Sequence, residues 1–140
     1  MGTAFITHAD CLNHITPDGH PEQVARLKAI NARLVQDEFS NLIRRDAPMG
    51  TPEQVTLTHP ADYVSKIQAA CPESGYSTLD GDTHVCADSY NAAMRGVGGI
   101  CGAVDMVLDG DAVNAFCATR PPGHHAETRT PMGFCLFGSI

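Results

Sequence analysis

At 140 residues, 43% hydrophobic and 18% charged, the chain has the size and composition of one globular domain that buries roughly 70% of its unfolded surface, which excludes a disordered sequence. Nine basic against 16 acidic residues leave a net charge of −7, with only two lysines, Lys28 and Lys66, and one basic pair, Arg44-Arg45, so the clustered basic face of a nucleic-acid binder is not there. No apolar run approaches the ~18 residues of a membrane span and no secretory signal opens the chain, so the expectation is a cytoplasmic protein without membrane contact.

Thr3–Thr7 is short, apolar and β-prone and predicts the first strand. A polar loop follows, with Pro17, Asp18 and Gly19 as turn residues. Pro21 suits the first turn of a helix and Glu22 the positive end of its dipole. Val24, Leu27, Ile30 and Leu34 then recur at helical spacing, with Arg26, Lys28 and Arg33 on the other faces. Gln54–Thr58 predicts a second strand, ended by His59-Pro60. Tyr63, Val64 and Ile67 mark a short amphipathic helix, and 72–82 reads as a loop.

Asp88 or Ser89 caps a longer helix running to about Leu108. It carries Gly96, Gly98, Gly99 and Gly102, each costing about 1 kcal/mol against alanine. They point either to close approach by another element or to a broken helix. Asp109-Gly110-Asp111 is a turn, and 112–118 predicts a buried strand. This alternation defines an α/β layer fold, a short, mostly parallel sheet with helices on both faces, in a single domain spanning 1–140.

The six cysteines, at 11, 71, 86, 101, 117 and 135, contain no CxxC pair. They read as reduced structural thiols rather than a disulfide frame or a zinc knot. His14, His20, His59 and His84 read as loop or capping residues rather than ligands. Asp80, Asp82 and His84 alternate, which leaves an accidental metal contact as a minor alternative.

Sites in open α/β sheets form beyond the carboxyl ends of strands. The segment after the 112–118 strand is Thr119-Arg120-Pro121-Pro122-Gly123-His124-His125. Adjacent side chains of a regular strand point to opposite faces, but the Pro-Pro-Gly turn can bring both imidazoles toward one cavity. Imidazole is the side chain best matched to proton transfer near neutral pH.

TRPPGHHAE followed by MGFCLF closely resembles the histone deacetylase superfamily, in its bacterial branch of deacetylase-like amidohydrolases, acetylpolyamine amidohydrolases and acetoin-utilisation proteins. TAFITH, GHPEQVARLKAI, TLTHPADYV and LDGDTHVCADSYNAA extend the resemblance along the chain. It implies a partial arginase/deacetylase-like three-layer fold and the chemistry of a zinc-dependent amide hydrolase, in which zinc polarises the acyl carbonyl and activates water. By match to the motif, His125 resembles the general base and later acid, and His124 its electrostatic neighbour. Phe134 resembles the aromatic wall of the acyl channel, with a core role as the alternative. Asp82 lies where relatives hold the substrate backbone, with a plain turn residue as the alternative.

The family pattern continues beyond this chain with its zinc ligands, with the carboxylates that orient the two histidines and with an oxyanion-stabilising tyrosine. The expectation is therefore a truncated member, with no metal site and no cofactor of its own and not catalytic alone. The alternatives are an oligomeric binding or assembly module without a hydrolase role, and a deacylase whose metal site another chain completes. Only such a completed site would take acetyl-lysine or acetylpolyamine substrates. A short sheet also implies an unpaired edge and exposed apolar faces, and hence a homo-oligomer.

Overall fold

A computed structural model describes residues 2–140. Strand β1 (Thr3–Thr7) is the centre of a three-stranded, wholly parallel sheet in the order β2–β1–β5, with β2 at Ile43–Asp46 and β5 at Asn114–Cys117. Successive β1 side chains leave on opposite faces. Ala4 and Ile6 pack with Ala47, Ala103 and Ala112 beneath helix α4 (Ser89–Leu108). Phe5 packs on the other side with Cys11, Ala118 and Leu27 of helix α1 (Val24–Leu34). Helix, sheet and helix form the three layers expected of the α/β fold.

Helix α1 uses the predicted stripe: Leu27 is buried, and Ile30 and Leu34 are half-buried against the same cluster. It starts at Val24 with Gln23 as the N-cap residue, so Pro21 and Glu22 precede it. Glu22 is therefore not a dipole partner; it turns inward and is only 6% exposed.

Three predicted elements differ in the structure. Residues 54–58 are not a strand but the end of helix α2 (Pro52–Val55) and the turn after it. The Thr51 hydroxyl accepts the Gln54 N–H, and the Gln54 amide oxygen accepts the Thr51 N–H. This capping box, with Pro52 opening the helix, overrides the β propensity of Val55 and Thr56. The strand beside β1 is instead Ile43–Asp46, whose Arg44, Arg45 and Asp46 are exposed. It lacks an apolar pattern because an edge strand is safer when charged.

The 72–82 segment is not all loop. Tyr76–Asp80 forms β3, which pairs antiparallel with β4 (Thr83–Cys86) in a separate hairpin. Half-buried Ser77 and Leu79 alternate there with exposed neighbours. The 112–118 strand is shorter and less buried than expected. β5 pairs on one side only, with β1, and Val113 and Phe116 are 55% and 47% exposed.

Helix α3 (Ala61–Ala70) buries Tyr63, Val64 and Ile67 as predicted. These pack with Val55, Val85, Leu136 and Phe137 against α4, in a third cluster that anchors the segment after the histidine pair. No helix among the described residues is long and apolar enough to cross a membrane. The six cysteines are free, and burial pushes the Cys11, Cys71 and Cys117 thiols upward, which makes them poor thiolates.

Helix α4 runs unbroken, and its glycines do allow close approach, though not all four equally. A Cβ on Gly98 would strike the Pro48 carbonyl oxygen and lie 2.6 Å from the Gly50 nitrogen, which itself donates to the Met94 carbonyl. A Cβ on Gly102 would meet only the Pro48 ring, at 3.4 Å. Gly98→Ala is therefore expected to destabilise by about 3 kcal/mol, since backbone cannot yield as a side chain can. Gly102→Ala should be neutral or gain up to about 1 kcal/mol of helix propensity. Urea unfolding of both variants checks the pair, and equal effects would contradict the packing described.

Candidate functional site

Beyond the carboxyl end of β5 the chain turns through Thr119-Arg120-Pro121-Pro122-Gly123, with a cis Arg120–Pro121 peptide. His124 and His125 follow, both exposed. Their ring centroids are 4.2 Å apart and the planes are tilted by 50°, so the turn does break the strand alternation. The two rings do not share one surface. His124 lines a groove of about 430 Å³ together with Phe134, Arg26, Pro21, Pro122 and Ile100. His125 instead lies against Gly133: a Cβ there would come within 2.7 Å of its ring carbons. The His125 N–H donates to the Cys135 sulfur at 3.3 Å.

Phe134 is placed by a tight reversal. Met132 and Cys135 exchange backbone hydrogen bonds of 3.2 and 3.0 Å across Gly133-Phe134, both of which have positive φ (56° and 70°). That is the requirement of a two-residue hairpin turn; glycine meets it freely, whereas phenylalanine does not. The strained Phe134 is held from outside: its N–H donates to the buried Thr83 hydroxyl at 3.1 Å. Its half-buried ring meets the His20 ring edge-on at 5.0 Å. Asp82 sits in the β3–β4 turn and is exposed; its carboxylate accepts from the Thr83 hydroxyl, and its carbonyl from His20 Nε2 at 2.8 Å. The structure thus brings His124, His125 and Phe134 together and joins Asp82 to them through His20.

Beneath these groups lies a buried network that sequence reasoning missed. Arg120 has no exposed surface. Its Nε and one terminal nitrogen donate to the two Glu22 carboxylate oxygens, each at 2.8 Å, and the other terminal nitrogen donates to the Cys11 and His14 carbonyls at 3.0 and 2.6 Å. His14, 1% exposed, accepts from the Ser89 hydroxyl at Nδ1 (2.7 Å) and turns Nε2 toward the Glu22 carboxylate at 3.7 Å. Burial, reinforced by the Arg120 charge and opposed by Glu22, lowers the His14 pKa to about 4, so the ring is neutral. Ser89, His14 and Glu22 superficially resemble a hydrolytic triad. All three are buried and the carboxylate is occupied by Arg120, so they brace the fold and present no nucleophile.

His59 braces the other side. Buried and stacked on Tyr63 at 4.6 Å, it donates from Nδ1 to the Thr128 carbonyl and accepts the Gly138 N–H at Nε2. His14, His20 and His59 are thus structural, each binding chain far away in sequence, a stronger role than the local capping expected of them. Arg120 carried one usable signal: a lone cation between an apolar strand and a proline pair has to be paired if it is buried.

Among the described residues no group of three His, Cys, Asp or Glu side chains is placed to hold a metal ion. Asp80, Asp82 and His84 do not converge into such a group; His84 Nδ1 is within 3.1 Å of the Thr78 hydroxyl. The residues present do not fit the zinc that the resemblance implies.

A short parallel sheet between helices, with a tandem-histidine loop at the carboxyl end of an edge strand, is a layered α/β arrangement with its candidate site where such folds place one. The histone deacetylase domain profile matches residues 20–140, and the chain belongs to that family. It is 37% identical over 141 residues to an uncharacterised Synechocystis protein, covering 98% of this chain and 46% of that protein. It is 36% identical over 120 residues to a histone deacetylase-like amidohydrolase of Pseudomonas aeruginosa, covering 86% of this chain and 31% of that one. The crystal structure of the HDA15 HD domain matches 99% of this chain with a TM-score of 0.88 and 26% identity, across 41% of its own length. The chain thus spans less than half the length of each of these relatives.

Proposed function

We propose that this chain carries the histidine half of a zinc-dependent deacylase site and does not hydrolyse acyl amides by itself. The observation behind this reading is the tandem pair, 4.2 Å apart beside a groove that also contains Phe134, with no three-donor group among the described residues. In this reading His125 moves the proton and His124 tunes it electrostatically. Phe134 walls the acyl chain, and Asp82 holds the substrate backbone. Acetyl-lysine or acetylpolyamine amides are the substrate class once the site is complete.

The test is hydrolysis of an acetyl-lysine amide by the purified chain with added zinc, beside His125→Ala. The expected result is no turnover above that control. Zinc-dependent turnover that disappears in His125→Ala would overturn the reading, and a strict requirement for a second polypeptide would mark a site completed in trans.

The second reading, an assembly module, is favoured by the surface around β5. Val104, Val107 and Leu108 of α4, with Val113 and Phe116, are all at least 38% exposed, and residues 112–118 carry no charge to discourage edge pairing. A second copy related by a two-fold axis would lay β5 antiparallel to itself, a self-complementary contact. The expected native mass is that of a dimer; a monomer at high micromolar concentration would remove this reading.

A further inference from the structure

We propose that Glu22 is a positioning residue that ties the rim of the site to the loop presenting His124 and His125. The inference rests on the reading above that His125 handles the proton.

Glu22 acts through two different groups. Its carboxylate takes both arms of Arg120 at 2.8 Å, and Arg120 also ties down the carbonyls of Cys11 and His14. Arg120 is separated from His124 only by Pro121-Pro122-Gly123, two residues of which have fixed φ. A guanidinium held at four points thus sets where the histidine loop leaves the sheet.

The backbone of Glu22 works in the opposite direction. Its N–H and its carbonyl lie 3.1 and 3.0 Å from His20 Nδ1, while His20 Nε2 donates to the Asp82 carbonyl at 2.8 Å. The same ring meets Phe134 at 5.0 Å. One residue, 98 positions from Arg120 in sequence, therefore fixes the β3–β4 turn and Phe134 on one side and the histidine pair on the other. The geometry between proton-transfer group and substrate-contacting rim depends on it.

Removing one charge alone would leave the other buried and unpaired, so loss of fold would confuse the result. The test is the double variant Glu22→Leu/Arg120→Met, which keeps volume and removes both charges. Imidazole NMR of the 140-residue chain follows the His124–His125 ring cross-peak, the ring nitrogen shifts of both residues and the His20 Nε2–H signal. The buried His59 resonances report on the remainder of the fold.

The expected result is a folded double variant with His59 unchanged, loss of the His124–His125 cross-peak and a retained His20 Nε2–H signal, because the backbone N–H at position 22 survives the substitution. A wild-type His124–His125 cross-peak with unshifted ring nitrogens in the folded variant would overturn the proposal and reduce Glu22–Arg120 to a stabilising pair. Arg120→Lys keeps the charge beside Glu22 but loses the fork. It provides the same test with the same two outcomes should the apolar pair not fold. Turnover plays no part in either measurement, so failure of the deacylase reading and failure of the positioning role are separate results.

Discussion

Arg120→Met is expected to cost about 3–5 kcal/mol, because it leaves the buried Glu22 carboxylate without its bidentate partner and with only the half-exposed Arg26 guanidinium at 3.6 Å. The side chain has no exposed surface and Glu22 is 6% exposed, so water cannot take over. The Cys11 and His14 carbonyls lose their donor in the same change, each at about 1–3 kcal/mol if it stays dry. Against a total stability of about 5–15 kcal/mol for a domain, this one substitution is enough to populate the unfolded chain. Adding Glu22→Leu should recover most of the loss, since the second substitution removes the stranded charge. Urea unfolding of wild type, both single variants and the double variant closes the cycle. Additive single and double effects would show that the pair is not coupled, contrary to its bidentate geometry.

Acid should destabilise the fold as pH falls below the ordinary imidazole range. The His14 pKa is about 4 in the folded chain and 6.5 as its ordinary value. Between those limits the unfolded chain binds a proton that the folded chain refuses. Stability is therefore fully present above about pH 6.5 and is lost as pH falls toward 4, by about 3 kcal/mol. The cause is mainly desolvation, with the Arg120 guanidinium adding to it. His14→Asn keeps an acceptor for the Ser89 hydroxyl and has nothing to protonate. It should be less stable at pH 7 but lose less between pH 6.5 and 4.5. Urea midpoints across that range decide the matter. An equal slope in wild type and His14→Asn would assign the acid sensitivity to other groups.

The two experiments examine opposite sides of one network. Arg120 needs the Glu22 charge, and His14 stays neutral chiefly because it is buried, with the nearby Arg120 charge adding to that. A protonated His14 would place a second cation in a space that already holds a buried guanidinium. The loop bearing His124 and His125 thus depends on a cluster that is charged at one member and neutral at its neighbour.

Much of this was determined locally. The helical stripe of α1, the apolar spacing of α3, the length of α4 and the β1 pattern are periodicities within a dozen or so residues, and the structure reproduces each of them. The family strings, from TAFITH to the histidine pair and GFC, are likewise contiguous, so membership in the histone deacetylase family was legible before any contact was known. Charge and capping misled the reading at β2 and α2. Arg44-Arg45 does not resemble a strand because its strand lies at an edge, and Val55-Thr56 resembles one although a capping box at Thr51 and Gln54 starts a helix.

What only the tertiary structure decided is the set of partners. Glu22 and Arg120 meet across 98 positions, His14 and Ser89 across 75, and His59 reaches Thr128 across 69. Composition marks such residues as polar and nothing more. Whether a polar group is a solvated cap or a buried brace depends on whether water is displaced around it, and that is settled only when distant segments pack. The same holds for Gly98, whose need for no side chain is imposed by the Pro48 backbone, 50 positions away in a chain of 140.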